Sequence, residues 1–352
     1  MKIPVARDQA VGMGWLVASP FYADGIGAGA VSLAAEIERV VPAVVRMIGS
    51  RVGLVAGFSI WLGARSFAVV GLVRGEPGVL SFLVLEALRG RRRTALLEFL
   101  PGPEPSRRWK RVLRRARFAL VERPATVRAM AVGQVLTAPE RDLCAARFRV
   151  SNERFRHISW ALMRYPAPLP PVHSDAAAVV ASGRASCDWP TLFAAARSAD
   201  WPLIVICGSA DLAEVEALNH DRRAQVHSEL SRTEHDAIVS AAAVYAVVLR
   251  RQKGPSAGHV RLMAAVGAGA PVVATESPGL DGYLIGGETA LLVEPANPAA
   301  LAAAIQRLID DSELAARVRE AAHRRAAEWT YNEYFEAIGE LCRGLSEGSK
   351  PG

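Results

Sequence analysis

Three glycines follow the first apolar segment of the chain and suit the binding of a phosphate. Residues 14–19 (GWLVAS) predict a short buried strand, and Gly25, Gly27 and Gly29 lie in the loop after it. Glycine has no Cβ, so such a loop lets its backbone approach a ligand closely. A helix is predicted to begin near Ala30, and strand, glycine-rich loop and helix are typical of a nucleotide-binding α/β unit. The spacing is Gly-x-Gly-x-Gly, which an ordinary tight turn also fits.

Cysteine and histidine spacing indicates neither metal nor redox chemistry. The chain has four cysteines, none in a Cys-x-x-Cys pair, and its histidines form no His-Glu-x-x-His pattern. The N-terminus has no continuous apolar segment ending in a signal-peptidase site. We therefore expect no metal site, no bound cofactor and reduced thiols in a cytoplasmic protein. The abundance of Ala, Val, Leu and Arg fits a bacterial genome rich in G and C.

The elements that must position these residues alternate along the chain. In the first half, helices are predicted at 79–88, 107–118 and 138–148, with strands at 94–100 and 131–136. The second half restarts the pattern, with strands at 177–181, 203–207, 226–228, 244–249 and 271–275 separated by helices. Such alternation predicts α/β domains with parallel, doubly wound sheets.

A proline-rich segment separates the two halves. Residues 166–171 contain four prolines, which disfavour both helix and strand. A chain of 352 residues has room for two domains. We place an N-terminal domain at 1–165, a C-terminal domain at 172–325 and a final helical segment at 326–352.

The second half resembles the donor-binding domain of GT4 glycosyltransferases. Residues 258–305 contain a helix, a Gly-x-Pro-Val-Val-Ala-Thr strand, a Pro-Gly turn and Gly-Glu-Thr-x-Leu-Leu-Val, in the order of that family. The segment SGRASCDWPTLFAAA, from Ser182, is similar to the family's Gly-Arg loop and helix. AAEWTYNEYFEAI, from Ala326, is similar to its last helix. The first half matches only in layout.

This resemblance implies the GT-B fold, in which two Rossmann-like domains face each other across a cleft and the C-terminal helix crosses back to the N-terminal domain. It also implies an enzyme that transfers a sugar, with retention and without a metal, from a UDP- or GDP-type nucleotide-sugar to a hydroxyl acceptor. The nucleotide-sugar is a co-substrate. The acceptor is a small molecule, a lipid-linked intermediate or a glycan.

The donor-binding residues implied by the resemblance surround a diphosphate. Gly183 and Arg184 match the Gly-Arg loop, whose arginine contacts the diphosphate and is able to bind two oxygens at once. Gly258, His259 and Val260 lie where a loop becomes a helix, and backbone N–H groups at a helix N-terminus point towards an anion. Gly25, Gly27 and Gly29 would approach the same diphosphate from the other domain. An ion pair at the surface and an ordinary helix start are the alternatives for Arg184 and Gly258.

Two carboxylates are the catalytic candidates on the acceptor side. Glu98 ends the predicted strand 94–100, near the position of the family's acceptor-side polar residue, and Asp24 lies in the first loop. Strand carboxyl ends line the ligand crevice in this fold class, so either carboxylate is placed to orient the acceptor hydroxyl. A loop carboxylate paired with an arginine is the alternative.

The chain departs from the family at its paired glutamates. Alignment on Pro271 places Ser256 and Ala264 at the two positions, eight residues apart, where the family has carboxylates. Ser256 is kept as a donor-binding candidate at the first of them. The binding of ribose hydroxyls then requires another group, for which Glu276 and Asp281 are candidates. No lysine follows the Gly-Arg loop at the family's position.

The net charge of +7 is concentrated in two clusters, at 89–93 and 107–117. These residues form either a solvated helix face or a surface that attracts anions, with peripheral membrane contact through helix 107–117 as one form of it. Nucleic acid is not expected, because aromatic residues are not interleaved with the basic ones. The apolar run 52–73 contains four glycines and Arg65, which argues against a membrane span.

Two other hypotheses remain. The missing glutamates suit a degenerate family member that acts as a partner or regulator of an active transferase. A third hypothesis is another two-domain α/β enzyme, such as a sugar-phosphate epimerase or a phosphorylase.

Overall fold

The computed structural model describes residues 15–17, 26, 30–43, 45, 52–99, 108–161, 178–184, 186–251 and 258–347. They form two compact units. The first comprises 1–136, 141–159 and 332–352, and the second comprises 137–140 and 160–331. The proline-rich segment 166–171 lies outside the described residues.

The first unit contains a parallel sheet with the strand order β2-β1-β3-β4-β5-β6. Its strands are β1 Trp15–Val17, β2 Ala30–Ser32, β3 Val69–Val73, β4 Thr94–Leu97, β5 Met130–Val135 and β6 Phe155–His157. Its helices are α1 Leu33–Val40, α2 Gly53–Gly63, α3 Val79–Leu88, α4 Arg108–Arg117, α5 Arg123–Ala129 and α6 Ala138–Phe148, the start of α6 being grouped with the second unit. A π-helical turn, Phe118–Glu122, joins α4 to α5.

The second unit repeats this architecture, with the strand order β12-β11-β10-β7-β8-β9 and all neighbours parallel. Its strands are β7 Val179–Gly183, β8 Leu203–Cys207, β9 Ala224–Ser228, β10 Val244–Val247, β11 Val272–Thr275 and β12 Leu291–Val293. Its helices are α7 Trp189–Arg197, α8 Ser209–Leu218, α9 Arg232–Ser240, α10 His259–Gly267, α11 Pro298–Asp310 and α12 Ser312–Ala326. The last helix, α13 Tyr331–Glu347, is grouped almost entirely with the first unit.

Both faces of the second sheet are buried, which is why its strands are apolar runs. Successive side chains of a strand point to opposite faces. Accordingly Val179 and Ala181 belong to one apolar cluster with α7 and α11, while Val180 belongs to the other with α10.

Local sequence signals determine where these helices begin. Asp188 caps α7, with its carboxylate accepting from Thr191 N at 3.3 Å and Thr191 Oγ1 at 2.7 Å. Ser231 and Glu234 form a reciprocal capping box at the start of α9. Asn297 caps α11 directly before Pro298, a residue suited to the first helical turn.

Two regions of the first unit differ from the sequence-based expectation. The helix predicted from Ala30 begins only at Leu33, because Ala30–Ser32 pairs in parallel with β1 as strand β2. The apolar run 52–73 is divided between helix α2 and strand β3. In the part of the chain that the structure describes, no helix is both long and apolar enough to cross a membrane.

All four cysteine side chains are buried thiols: Cys144, Cys187, Cys207 and Cys342. Burial raises the pKa of Cys342 to about 12, and desolvation also raises that of Cys207.

Candidate functional site

The second sheet changes its winding direction between β7 and β10. The chain passes from β7 outward to β8 and β9, then crosses to the other side of β7 to form β10. At such a switch point the loops after the two central strands diverge to opposite faces and leave a crevice at the strand carboxyl ends. The Gly-Arg loop follows β7, and the segment leading to α10 follows β10. The sequence-predicted residues of this unit therefore lie along one carboxyl edge.

Gly183 is packed too closely for any side chain. A Cβ at this position would lie 2.4 Å from Cys187 Sγ and 2.5 Å from Arg261 Nη1. The glycine thus lets the loop after β7 approach Arg261 in the first turn of α10. Cys187 also pairs with Leu249 in an antiparallel bridge, and Arg250 Nε donates to Cys187 O at 2.9 Å. These contacts hold the loop after β7 against the end of β10.

Arg184 lies at the surface of the same edge. Its side chain is 72% exposed, and Nη2 is 3.5 Å from Glu229 Oε2. Glu229 adopts a left-handed backbone conformation after β9 and also accepts from Ser209 N at 3.1 Å. That hydrogen bond, followed by the charge of Arg184, lowers the pKa of the Glu229 carboxyl. Both side chains are exposed, and ion pairs in solvent are weak, so an anion able to bind two guanidinium nitrogens would compete with Glu229.

Helix α10 begins after Gly258, whose backbone conformation favours glycine. Gly258 is the N-cap residue with φ of 99°, a conformation that side chains rarely adopt. Val260, in the first turn, is exposed, whereas His259 is buried. The first turn of α10 therefore has the Val260 side chain in solvent, while the imidazole of His259 is directed into the core.

The His259 ring packs edge-on to Tyr283, with centroids 4.7 Å apart. Burial lowers the pKa of His259 to about 4. A hydrogen bond with the Gly279 backbone acts in the opposite direction, and the nearby charge of Arg261 acts in the same direction as burial. The imidazole is therefore neutral at physiological pH. It anchors the start of α10 to the Pro-Gly turn after β11.

Arg261 is a buried cation between α10 and the Gly-Arg loop. Its Nη1 donates to Ser182 O at 3.2 Å and to Cys187 Sγ at 3.0 Å. Its positive charge reaches the interior. Burial raises the pKa of Tyr245 to about 12, and the hydrogen bond to Ser182 and then the charge of Arg261 act in the opposite direction. A cation here adds positive potential at the crevice, where the lower dielectric strengthens it.

A polar network supports the end of β7. Ser182 Oγ lies 2.5 Å from Tyr245 OH and 2.9 Å from His235 Nε2. Because Ser182 and Tyr245 are both buried, the Ser182 hydroxyl is not available to attack a substrate. The network orients β7, β10 and α9 relative to one another.

A cavity of about 620 Å³ lies at the carboxyl ends of β10, β11 and β12. Its polar lining includes Arg250, Arg251, Glu276, Asp281 and Glu294. Glu276 and Asp281, the two candidates for binding ribose hydroxyls, therefore line one cavity. Neighbouring strands are about 4.8 Å apart, so the end of β11, where this cavity lies, is roughly 10 Å from the end of β7. A nucleotide is long enough to reach across that distance. Throughout the described ranges, no group of three or more His, Cys, Asp or Glu side chains is arranged to hold a metal ion.

Glu98 lies at the carboxyl end of β4 in the first unit. It has φ of 45°, and its N–H donates to the buried amide of Gln134 at 2.6 Å. Gln134 Nε2 donates to Ile158 O at 2.8 Å, which links the ends of β4 and β5 to the residue after β6. Desolvation raises the pKa of the Glu76 carboxyl, and the negative charge of Glu98 raises it further. Left-handed non-glycine residues are costly and concentrate at functional sites.

The structure thus brings Gly183, Arg184 and Gly258–Val260 to one sheet edge, with Glu276 two strands along it. Asp24, Gly25, Gly27, Gly29 and Ser256 lie outside the described residues, and their roles stay predictions. Sequence inspection missed Arg261 and Gln134. An arginine within an amphipathic helix resembles a surface residue, but Arg261 is only 8% exposed and lies against Gly183.

Comparison with known proteins identifies the second unit. Residues 188–311 match the family model described as Glycosyl transferases group 1. The chain carries a glycosyl transferases group 1 domain. This match covers α7 to α11, including β10 and the start of α10, whereas β7, Gly183 and Arg184 precede it. A search of curated protein sequences finds no match to the chain.

Solved structures extend the similarity over both units. Anabaena HepE with UDP and glucose has a TM-score of 0.66 at 14% identity, covering 94% of this chain and 99% of its own. Sucrose-phosphate synthase from Thermosynechococcus elongatus has a TM-score of 0.65 at 21% identity, covering 92% and 82%. A glycosyltransferase from Rickettsia africae has a TM-score of 0.62 at 13% identity, covering 90% and 82%. Identities this low establish the fold alone. The group 1 domain belongs to a chain with the α/β GT-B fold expected from its sequence.

Proposed function

We propose that this protein is a glycosyltransferase that moves a sugar from a nucleoside diphosphate donor to a hydroxyl acceptor. The observation that carries the proposal is the β7–β10 edge of the second sheet, whose β10 side lies within the group 1 match. There Gly183, the start of α10 at Gly258 and two arginines lie along one carboxyl edge of the sheet. Diphosphate is the anion that this combination of amides and cations suits.

The chemistry needs stabilisation of a leaving diphosphate, whose negative charge grows as the sugar–phosphate bond breaks. The first-turn N–H groups of α10 provide fixed donors, and Arg184 provides a guanidinium that exchanges Glu229 for phosphate oxygens. Arg261 adds positive potential from below the loop. These are the protein's own cations, which supports a metal-independent transfer. Retention is proposed from the resemblance of residues 258–305 to the retaining GT4 enzymes.

The cavity at β10–β12 suits the remainder of the donor. Carboxylates accept hydrogen bonds from vicinal hydroxyls, and Glu276 and Asp281 supply them in place of the family's missing glutamates. The HepE structure with UDP-glucose supports a UDP-type donor, and the GDP type is the alternative that the binding assay distinguishes. Glu98, with Asp24, is proposed to orient the hydroxyl of a small-molecule, lipid-linked or glycan acceptor.

The test is a panel of UDP- and GDP-sugars, with binding followed by calorimetry and turnover by nucleotide release. We expect one donor class to bind, and Arg184→Ala to weaken binding by about tenfold through loss of a charge-assisted contact. The matched control is Arg324→Ala. That arginine is 73% exposed and paired with Glu320 at 3.9 Å, and its removal leaves binding unchanged. Failure of every donor to bind would refute the proposal.

A degenerate, non-catalytic relative is the second candidate, favoured by Ser256 and Ala264 at the glutamate positions. It predicts that the same donor binds with no nucleotide release in the presence of any acceptor or water. It also predicts that Arg184→Ala leaves association with an active transferase unchanged.

A further inference from the structure

Helix α4 presents its apolar stripe to solvent. Trp109, Val112 and Leu113 are 56%, 64% and 60% exposed, and Leu120 in the following π turn is 77% exposed. With about 100° per residue, positions 109, 112, 113 and 116 fall within an arc of about 100°. A surface helix normally buries such a stripe against the core. Here the stripe is on the outside.

The π turn after α4 is anchored to the first unit. Phe118 lies about 180° around the helix from Trp109. Its ring is edge-on to Phe148 with centroids 5.2 Å apart, and Arg147 lies 4.9 Å above it. Glu122, at the end of the π turn, pairs with Arg74. These contacts anchor the π turn that follows α4, while every side chain from Trp109 to Arg117 is exposed except the half-buried Arg114.

Cations flank the stripe on both sides. Lys110 and Arg117 fall on one flank and Arg115 on the other, while Arg111 and Arg114 lie farther round. Residues 108–117 contain no acidic side chain, and Glu122 is already paired. The segment therefore combines a narrow apolar stripe, a tryptophan and a cationic margin.

We propose that α4 and its π turn dock on an anionic membrane surface, with the stripe inserted among lipid chains and the basic residues among the headgroups. This commits to lipid because the surface has two components, and stable interfacial binding requires both apolar burial and attraction to anionic lipid. A nucleic acid would use the charge and leave Val112 and Leu113 in water. The surface belongs to the first unit, so the proposal does not depend on the donor chemistry of the second.

The experiment is co-sedimentation of the full-length protein with phosphatidylcholine vesicles, with and without phosphatidylglycerol. We expect binding only with phosphatidylglycerol, weakened by salt. Lys110→Gln with Arg115→Gln reduces partitioning about 30-fold, taking about 1 kcal/mol per cation and a tenfold change per 1.4 kcal/mol. Val112→Gln with Leu113→Gln reduces it by at least about tenfold.

Matched controls keep the result specific to this surface. Arg317→Gln with Arg324→Gln removes the same charge from α12, and Leu143→Gln with Ile309→Gln removes partly exposed apolar side chains elsewhere. Both leave vesicle binding unchanged. Circular dichroism verifies that every variant is folded. Quenching of Trp109 by brominated lipid, lost in Trp109→Phe, reports insertion directly.

Three outcomes would overturn the proposal. One is binding to neutral and anionic vesicles alike, and another is binding that the Val112/Leu113 variant retains in full. The third is a dimer in light scattering that Val112→Gln with Leu113→Gln converts to monomer, which would assign the stripe to a second copy of the chain.

Discussion

Gly183→Ala tests the close packing on which the loop after β7 depends. The added Cβ would lie 2.4 Å from Cys187 Sγ and 2.5 Å from Arg261 Nη1. Non-bonded atoms prefer roughly 3.5–4.0 Å, so one or both neighbours must move by about 1 Å. Arg261 Nη1 donates to Ser182 O and to Cys187 Sγ, so displacing either side chain lengthens one of these hydrogen bonds.

The expected cost is that of an overpacked interior. Such insertions destabilise by about 1–3 kcal/mol, which corresponds to a melting temperature lower by about 4–8 °C for a cost near 2 kcal/mol in a domain of this size. The measurement is thermal and urea unfolding followed by circular dichroism. Gly75→Ala is the control, because a Cβ there meets nothing within 4 Å. Its effect stays within about 0.5 kcal/mol.

A double-mutant cycle identifies which neighbour resists. Cys187→Ala removes the Sγ atom, so Gly183→Ala in that background should recover about 1 kcal/mol of its cost. The same four proteins are then titrated with the best nucleotide donor, and we expect affinity to fall with the displacement of Arg184 and Arg261. If Gly183→Ala unfolds like the parent protein, the close contact with Cys187 and Arg261 is wrong. If the cycle shows no coupling, the sulfur is not the obstacle.

Three further predictions concern His259, the Glu86–Arg93 pair and the backbone of Glu98. The pKa of His259 is lowered to about 4 from 6.5, so the unfolded chain binds a proton that the folded protein does not. Stability then falls by about 3 kcal/mol as pH drops from 6.5 to 4, and His259→Phe removes this dependence in urea unfolding while the exposed control His220→Phe keeps it. Glu86 and Arg93 form a buried pair, with Nε–Oε2 at 2.8 Å and Nη2–Oε1 at 3.1 Å. Glu86→Leu alone should lower the free energy of unfolding by about 3–5 kcal/mol, because it leaves Arg93 buried and unpaired. The double variant with Arg93→Met should lose less stability than Glu86→Leu, and an equal or larger loss would show that the two side chains are not coupled. Glu98 has φ of 45°, so Glu98→Gly should be about 1 kcal/mol more stable than Glu98→Ala, and equal stability would count against the strained backbone.

Hydrophobic periodicity and the positions of glycine and proline predict much of the fold. Helices 79–88 and 138–148 and strand 203–207 occur at the predicted bounds, because each is an unambiguous run next to a clear boundary such as Gly78 or Pro139. Ala30–Ser32 was misassigned because these three residues also suit a first helical turn. Pairing with β1, a non-local contact, makes them a strand.

The residues of the candidate site also fall into those that local sequence predicts and those that depend on contacts between distant elements. Motif similarity locates Gly183, Arg184 and Gly258 because their backbone geometry and loop positions are local properties. The burial of Arg261 and Gln134 depends on space created by other elements, which no local pattern records. The ion pair of Arg184 with Glu229 joins residues that are 45 positions apart and meet only after β7, β8 and β9 assemble.

The four buried thiols allow local unfolding of each unit to be measured by alkylation of the native protein. Cys144 and Cys342 belong to the first unit, and Cys187 and Cys207 belong to the second. A thiolate must form before alkylation, and burial disfavours it, so a reagent added to the native protein modifies only molecules that have opened. Peptide mass analysis of the modified sites would give an opening free energy for each unit from a single sample, without an engineered label.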